Sequence, residues 1–527
     1  MMCFFALMVI DWTRGSQVGS TWAWTVNMTG VVMAVILFSA YSLKDFCKPV
    51  YGIYSVLCLA ALPISYYWWN LHQAAIYRDK LLTAVINVWL LGIFVIKWLI
   101  EIWEKRQSLN LKCLILTMKS NWLETLTVLM LLLILFSKNE DVWSLWYLAM
   151  FGLFYHTKYD KKLLSEMQQG MLDGIILSFF VLQGAAFIFR PFDDFHKRYK
   201  GIYSNCNITA LFYSVVFVAL ILKLFYVRRN NDKKWKEVLC FLFAGGVLGF
   251  VILTISKTAW ISLIIVSAFY IIFADFYLLK RKAGRETLAI LGMVIIMLMS
   301  VPIDYMAIRY LPPIFHHPIW FEGEYEEWKV HSWDPWDSEK YVSWEEMKEA
   351  ISSRIEPFIR LVQKDYHSGL YLVHAEEVLD VEEASLPNGI QIGDTLYNSD
   401  EAMEYSSSLG RISIWEYYLK HGNIQGHSNL DGHIQNMSTY VWHAQNMFVQ
   451  YWYYYGIPSA VLFVIIGTGF FLQSIKRIKK GNICAICSLL YLALMGVFGL
   501  FEAVWYPGQM IFWLMFFCPI LMKKMDE

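Results

Sequence analysis

The chain has 527 residues, of which 57% are hydrophobic and 17% aromatic, and its mean hydropathy is +0.42. No soluble domain of this length buries that much apolar surface, so composition excludes an ordinary water-soluble enzyme and points to a polytopic membrane protein. Lysine plus arginine and aspartate plus glutamate balance at 44 each, which gives no ground for a nucleic-acid partner and leaves the placement of charge as the informative quantity.

A bilayer core about 30 Å thick needs about 20 predominantly apolar residues per helix, because backbone polar groups find no water there. The opening MMCFFALMVIDW lacks the basic stretch and small-residue cleavage site of a signal peptide and reads as a short membrane segment. Full spans are predicted near 27 to 44, 48 to 70, 82 to 103, 120 to 137, 142 to 156, 170 to 190, 207 to 228, 236 to 256, 258 to 279 and 286 to 304. Three more follow near 447 to 473, 482 to 501 and 505 to 522. The expected fold is all-α and polytopic, with about 12 to 14 transmembrane helices. It divides into an N-terminal bundle over 1–303, one large loop domain over 304–446 and a C-terminal three-helix segment over 447–527.

Basic residues cluster on alternate loops: Lys44 and Lys48, Lys105 to Lys119, Lys158 to Lys162, Arg228 to Lys236, Lys280 to Arg285, Lys476 to Lys480, and Lys523 with Lys524. Cytoplasmic loops carry such excess, so the polar segment after Asp304 is expected on the outer, periplasmic face of a bacterial inner membrane. The loop from Arg190 to Lys200 breaks the pattern, being basic yet on the outer side by helix parity. Lys257 is a second anomaly, a cation at an outer junction of two apolar blocks, where it either snorkels or engages a ligand. Nine cysteines lie scattered, none between Asp304 and Asn446, so no disulfide framework is implied. The Cys484–Cys487 pair opens an apolar helix and lacks a redox or metal context.

The outer segment opens with LPPIFHHP, whose prolines end any helix. Residues 343 to 363 have helical spacing, with Trp344, Met347, Ile351, Ile355, Phe358 and Leu361 on one face, as an amphipathic helix lying on the bundle would. The stretch from Gly410 to Gly456 then gathers Arg411, His421, His427, His433, His443, Gln445 and Asn446 before running into the next apolar block. The histidines do not share the spacing of a zinc motif.

Three short patterns carry a family resemblance. Arg198-Tyr-Lys-Gly201, followed by Cys206-Asn207 at the head of a helix, resembles an R-x-x-G then P-N pattern. Leu253-Thr-Ile-Ser-Lys257-Thr-Ala259 resembles L-T-x-S-R-x-A. Arg411 with Trp415, then Gly426, then Gln445-Asn446 and Gly456, is similar to an R-x-x-x-W, G-x-G and H-N-x(9)-G-x-x-G run, with Ser459 in place of its last glycine. Their order and topology resemble the O-antigen ligase and O-antigen polymerase superfamily.

That resemblance implies a membrane glycosyltransferase that moves a glycan from an undecaprenyl diphosphate carrier to a hydroxyl of a glycan, lipid A core or protein acceptor. No cofactor or metal is implied. Arg198, Lys200, Lys257 and Arg411 are expected to hold the diphosphate, since guanidinium and ammonium groups grip phosphate oxygens through charge-assisted bonds. His443, Gln445 and Asn446 are the expected catalytic positions. Gln445 stands where the family has histidine, and an amide takes up no proton near neutrality, which leaves His443 as the expected base. Two alternatives remain: a metal-dependent oligosaccharyltransferase using Asp193-Asp194 or Asp334 and Asp337, and a flippase or transporter for lipid-linked glycans.

Overall fold

In the computed structural model, the described residues are 1–15, 28–71, 75–105, 118–139, 142–189, 198–201, 203, 206–314, 319–320, 331–332, 343–365, 390–392, 395–397, 409–427, 444–502 and 510–526. Among them the helices follow in order. They are α1 (Met2–Gly15), α2 (Met28–Phe38), α3 (Pro49–Leu71), α4 (Ala75–Lys105), α5 (Trp122–Leu135), α6 (Val142–His156), α7 (Lys161–Phe189), α8 (Cys206–Arg229) and α9 (Lys234–Leu253). Then come α10 (Lys257–Phe269), continued by a π-helical stretch (Tyr270–Leu278), α11 (Ala283–Ile314), α12 (Trp344–Asp365), α13 (Leu409–Lys420), α14 (Met447–Tyr454), α15 (Ile457–Lys479), α16 (Ala485–Gly499) and α17 (Met510–Asp526). Two short antiparallel hairpins, Ile319–Trp320 with His331–Ser332 and Ile390–Ile392 with Thr395–Tyr397, lie between α11 and α13.

Among the described residues, seven segments, those of α4 and α7 to α11 together with α15, are long and apolar enough to cross a membrane, and three further apolar helices are shorter. The protein is therefore a helical multi-pass membrane protein. Most apolar segments predicted from sequence lie on a helix, but the one predicted over 27 to 44 is α-helical only over Met28–Phe38, and the one over 505 to 522 begins outside the described residues. The predicted span 447 to 473 is two helices, because Gly456 turns the chain with φ of 91° and the next helix starts at Ile457-Pro458. The span predicted to end at 304 continues as α11 to Ile314, one residue past the proline pair.

Burial separates the helices by role. In α8, 89% of the apolar window is buried, whereas in α11 it is 11%. Helix α8 is thus the hub of the bundle, packed by α7, α9, α10 and α16, while α11 shows Leu288, Leu291, Leu298 and Ile303 to the lipid. Because successive spans alternate in direction, α7, α9 and α16 end where α8, α10 and α15 begin. The basic loops after α8, α10 and α15 fall at the opposite end. There Arg228, only 3% exposed, reaches Glu237 of α9 at 2.8 Å, both oxygens of Asp275 at 3.0 Å and Glu286 of α11 at 3.3 Å. Arg281 adds contacts to Glu286 and to Glu237. One arginine thereby clamps four membrane segments at their far ends.

Helix α12 has the amphipathic character that its spacing predicts. Ser343 and Glu346 form a reciprocal capping box: the Ser343 N–H donates to Glu346 Oε2 at 2.8 Å, and the Glu346 N–H to Ser343 Oγ at 3.2 Å. Met347 is fully buried, and Trp344 packs on Tyr305 of α11 with ring centroids 5.1 Å apart. Ile355 departs from the expected face, being 39% exposed. The side chains of Phe358 and Leu361 lie outside the described residues.

Candidate functional site

At the end of the bundle where α8, α10 and α14 begin, three segments distant in sequence are stitched together. Arg198 precedes α8. Its Nε donates to the carbonyl of Thr254 at 2.8 Å, and its Nη2 donates to Asn207 Oδ1 at 2.7 Å. The Tyr199 N–H donates to the Leu253 carbonyl at 2.9 Å, so the first and second sequence patterns share a backbone contact as well. Asn207 Nδ2 in turn donates to Glu502 Oε1 at 2.5 Å. Two residues before Glu502, the Leu500 carbonyl accepts from Asn446 Nδ2 at 2.9 Å, which brings in the third pattern.

Each pattern has a local reason for its shape. Thr209 donates from its hydroxyl to the Lys200 carbonyl at 2.6 Å, folding the R-x-x-G turn onto the head of α8, with Gly201 at φ of 57°. Asn446 is the N-cap of α14, its Oδ1 accepting from Phe448 N–H and Val449 N–H at 2.9 and 3.1 Å. Trp415 Nε1 donates to the Ala444 carbonyl at 2.8 Å, and the Ala444 N–H to the buried Gln450 Oε1 at 2.7 Å. The R-x-x-x-W spacing thus docks α13 beside Asn446, with Arg411 one turn earlier on that helix. Gly426 and Gly456 form the backbone crossing behind it. Both have positive φ, 75° and 91°, and a Cβ on either would lie 2.2 Å from a carbonyl oxygen of the other segment. His427, between these segments, stacks on Tyr453 with centroids 3.8 Å apart and lies 2.9 Å from its carbonyl through Nδ1. It is a packing residue.

Two non-glycine residues at this end are left-handed: Ile255 at φ of 51° and Gln445 at 47°. A β-branched residue there is a genuine outlier, and such strain persists only where the surroundings enforce it. Ile255 is the residue that turns the chain between Thr254, which holds Arg198, and the Ser256-Lys257 start of α10.

The cations gather here. Lys257, half-buried, is the first residue of α10, and Arg354 of α12 lies close enough for their charges to repel. Burial, and then the charge of Arg198, hold Arg354 below the ordinary arginine value. Among the described residues neither Lys257 nor Arg354 has an ion-pair partner. Three positive groups from three elements therefore converge at this end of the bundle, an arrangement whose charge suits an anion. Lys200 is half-buried in the turn next to Arg198. Arg411 lies on described backbone, but its side chain, like the whole of His443, lies outside the described residues, as do Asp193, Asp194, Asp334 and Asp337. Among the described residues no three His, Cys, Asp or Glu side chains group closely enough to hold a metal ion.

Sequence reading missed Arg354 and Glu502. Arg354 looks like the solvated face of an amphipathic helix, and Glu502, only 6% exposed, looks like a loop acid between apolar runs. Beside the polar network lies an apolar cavity of about 320 Å³ between α10 and α14 to α17. Met447 and Phe448, next to Asn446, line it, as do Phe463, Leu492 and Gly499; Gly499 directly precedes Leu500. No protein-family model matches this chain, and no curated protein matches it.

Proposed function

We infer that the chain is a glycosyltransferase of the O-antigen ligase or polymerase type, acting at the outer face of a bacterial inner membrane. Its donor is a glycan on undecaprenyl diphosphate, and its acceptor is a hydroxyl of a second glycan, a lipid A core or a protein. The observation that carries this reading is the convergence of Arg198, Lys257 and Arg354 beside the hydrogen-bonded link from Asn207 to Glu502.

The chemistry asks for a stabilised diphosphate leaving group while an acceptor oxygen attacks the anomeric carbon. Arg198 is preorganised for that task, since two of its nitrogens are already held and the charge cannot swing away. Lys257 adds a compact ammonium at a helix N-terminus, where the backbone dipole also favours an anion. Lys200 and Arg411 complete the set through the family resemblance. The first isoprene units of the carrier enter the apolar cavity, whose Met447 end adjoins Asn446. A lipid-bound diphosphate is the ligand that needs a cationic head site and an apolar slot together.

The test is transfer by purified protein in nanodiscs, from an undecaprenyl-diphosphate-linked glycan to candidate acceptors. Arg198→Ala and Lys257→Ala are each expected to reduce transfer by about 100-fold or more, as loss of one preorganised donor does. Lys257→Ala should leave the unfolding temperature close to wild type, whereas Arg198→Ala, which loses two hydrogen bonds, should also lower it. Full activity in both variants removes the diphosphate assignment. Transfer is expected to survive EDTA; loss restored by magnesium favours a metal-dependent oligosaccharyltransferase.

A further inference from the structure

The transfer reaction must remove a proton from the acceptor hydroxyl, and Gln445 cannot take it. We propose that Glu502 is the proton acceptor of this enzyme, held at the junction of the three motif segments by Asn207. The proposal rests on the glycan-transfer reading.

The Asn207 carboxamide is oriented by the two groups on either side of it. Arg198 can only donate, so the oxygen of Asn207 must face it, as the 2.7 Å contact from Nη2 to Oδ1 has it. The amide NH₂ is thereby turned to Glu502 and donates to Oε1 at 2.5 Å. Oε1 is an acceptor in this contact, as a carboxylate oxygen is. Asn207 thus relays the arginine charge to the carboxylate without placing the two in direct contact through this bond. Glu502 is over nine-tenths buried, follows the Leu500 carbonyl that anchors Asn446, and lies on the same short segment as that anchor.

The step balances without a co-reactant. The acceptor O–H proton passes to a Glu502 carboxylate oxygen as the acceptor oxygen bonds to the anomeric carbon. The bond from that carbon to the diphosphate oxygen breaks, and its electron pair leaves on the diphosphate beside Arg198 and Lys257. Glu502 then returns the proton to solvent.

The test measures release of undecaprenyl diphosphate by the full-length protein in nanodiscs, with an undecaprenyl-diphosphate-linked glycan as donor. Lipid A core and a second copy of the same glycan serve as acceptors across a pH series. Glu502→Gln keeps shape and hydrogen-bonding capacity, and is expected to lower kcat by about 100- to 10,000-fold with donor KM unchanged. The acidic limb of the wild-type pH profile should disappear with it. Glu502→Asp should retain the limb at reduced rate. Adding Gln445→His to Glu502→Gln should restore turnover with a new limb near the ordinary histidine value of about 6.5. Wild-type kinetics in Glu502→Gln overturn the assignment, and so does a slower Glu502→Gln that keeps the wild-type limb, since that marks a structural role. If the wild type releases no undecaprenyl diphosphate with either acceptor, the transfer reading fails and this assignment fails with it; wild-type release with unaffected Glu502→Gln overturns the base alone.

Discussion

Arg198 donates through Nε to the carbonyl of Thr254 at 2.8 Å, across 56 residues of chain, and this bond fixes the guanidinium against the strained turn that starts α10. Its consequence is an asymmetry between the two site cations. Arg198 uses two nitrogens of a planar fork to stay in place, whereas Lys257 is a point charge at a helix start.

Arg198→Lys keeps the charge and loses the fork. Hydrogen bonds from charged groups are worth about 1.5–3 kcal/mol each, so transfer should fall by roughly 10- to 100-fold or more. Lys257→Arg keeps its charge at the same helix turn and should retain activity within a few-fold. Initial rates of glycan transfer for the two conservative variants check this, and equal losses in both would show that geometry plays no part at Arg198.

The crossing of Gly426 and Gly456 predicts a sharp position dependence of alanine substitution. At either residue the added Cβ meets a carbonyl oxygen at 2.2 Å on a left-handed backbone, so neither the methyl nor its neighbour can give way. Gly456→Ala and Gly426→Ala should each cost at least about 2 kcal/mol, the range of overpacking and left-handed strain combined. Gly152, in α6, has nothing within 4 Å of its would-be Cβ. Gly152→Ala should be neutral or stabilising by up to about 1 kcal/mol. Thermal unfolding in one detergent decides between them.

Much of the frame was legible because helix length in a bilayer is a one-dimensional property. The apolar run predicted at 207 to 228 is the helix Cys206–Arg229, and that at 236 to 256 ends at Leu253. The break at Gly456 was hidden because hydropathy continues across it, and only backbone approach to Ile424 reveals why a turn is needed there. The site was half legible. Arg198 and Lys257 stood out as cations on the wrong side of a charge pattern, a signal that sequence carries. Arg354 and Glu502 carried no such signal. Glu502 acquires meaning from Asn207, 295 residues away, and Arg354 from charges on two other elements.

Gln445 gives a third prediction, on strain. At φ of 47° it occupies a conformation that costs a non-glycine residue about 1–3 kcal/mol, directly before the cap that starts α14. Gln445→Gly should raise the unfolding temperature or leave it unchanged, by removing the Cβ conflict. Gln445→Val, β-branched, should lower it distinctly. If valine proves neutral, the left-handed turn is not enforced by its surroundings.

The last prediction concerns the far end of the bundle and separates buried from exposed ion pairs. Arg228 is 3% exposed and meets carboxylates of which two, Asp275 and Glu286, are 1% and 3% exposed. Replacing it with methionine preserves volume but leaves Asp275 buried without its clamp, while Glu286 and Glu237 keep Arg281. Removal of one partner from a buried pair costs about 3–5 kcal/mol, because the remaining charge has neither water nor a counter-ion. Arg228→Met should therefore unfold the four-segment junction at markedly lower temperature. Lys48 and Glu104 also pair, at 3.2 Å, but are 55% and 61% exposed. Water screens both, so Glu104→Gln should shift stability by less than about 1 kcal/mol. Adding Asp275→Asn to Arg228→Met removes the stranded charge and should recover part of the loss, an outcome that distinguishes charge burial from lost packing. Thermal unfolding of the single and double variants measures it, and a double variant no better than Arg228→Met would assign the loss to packing.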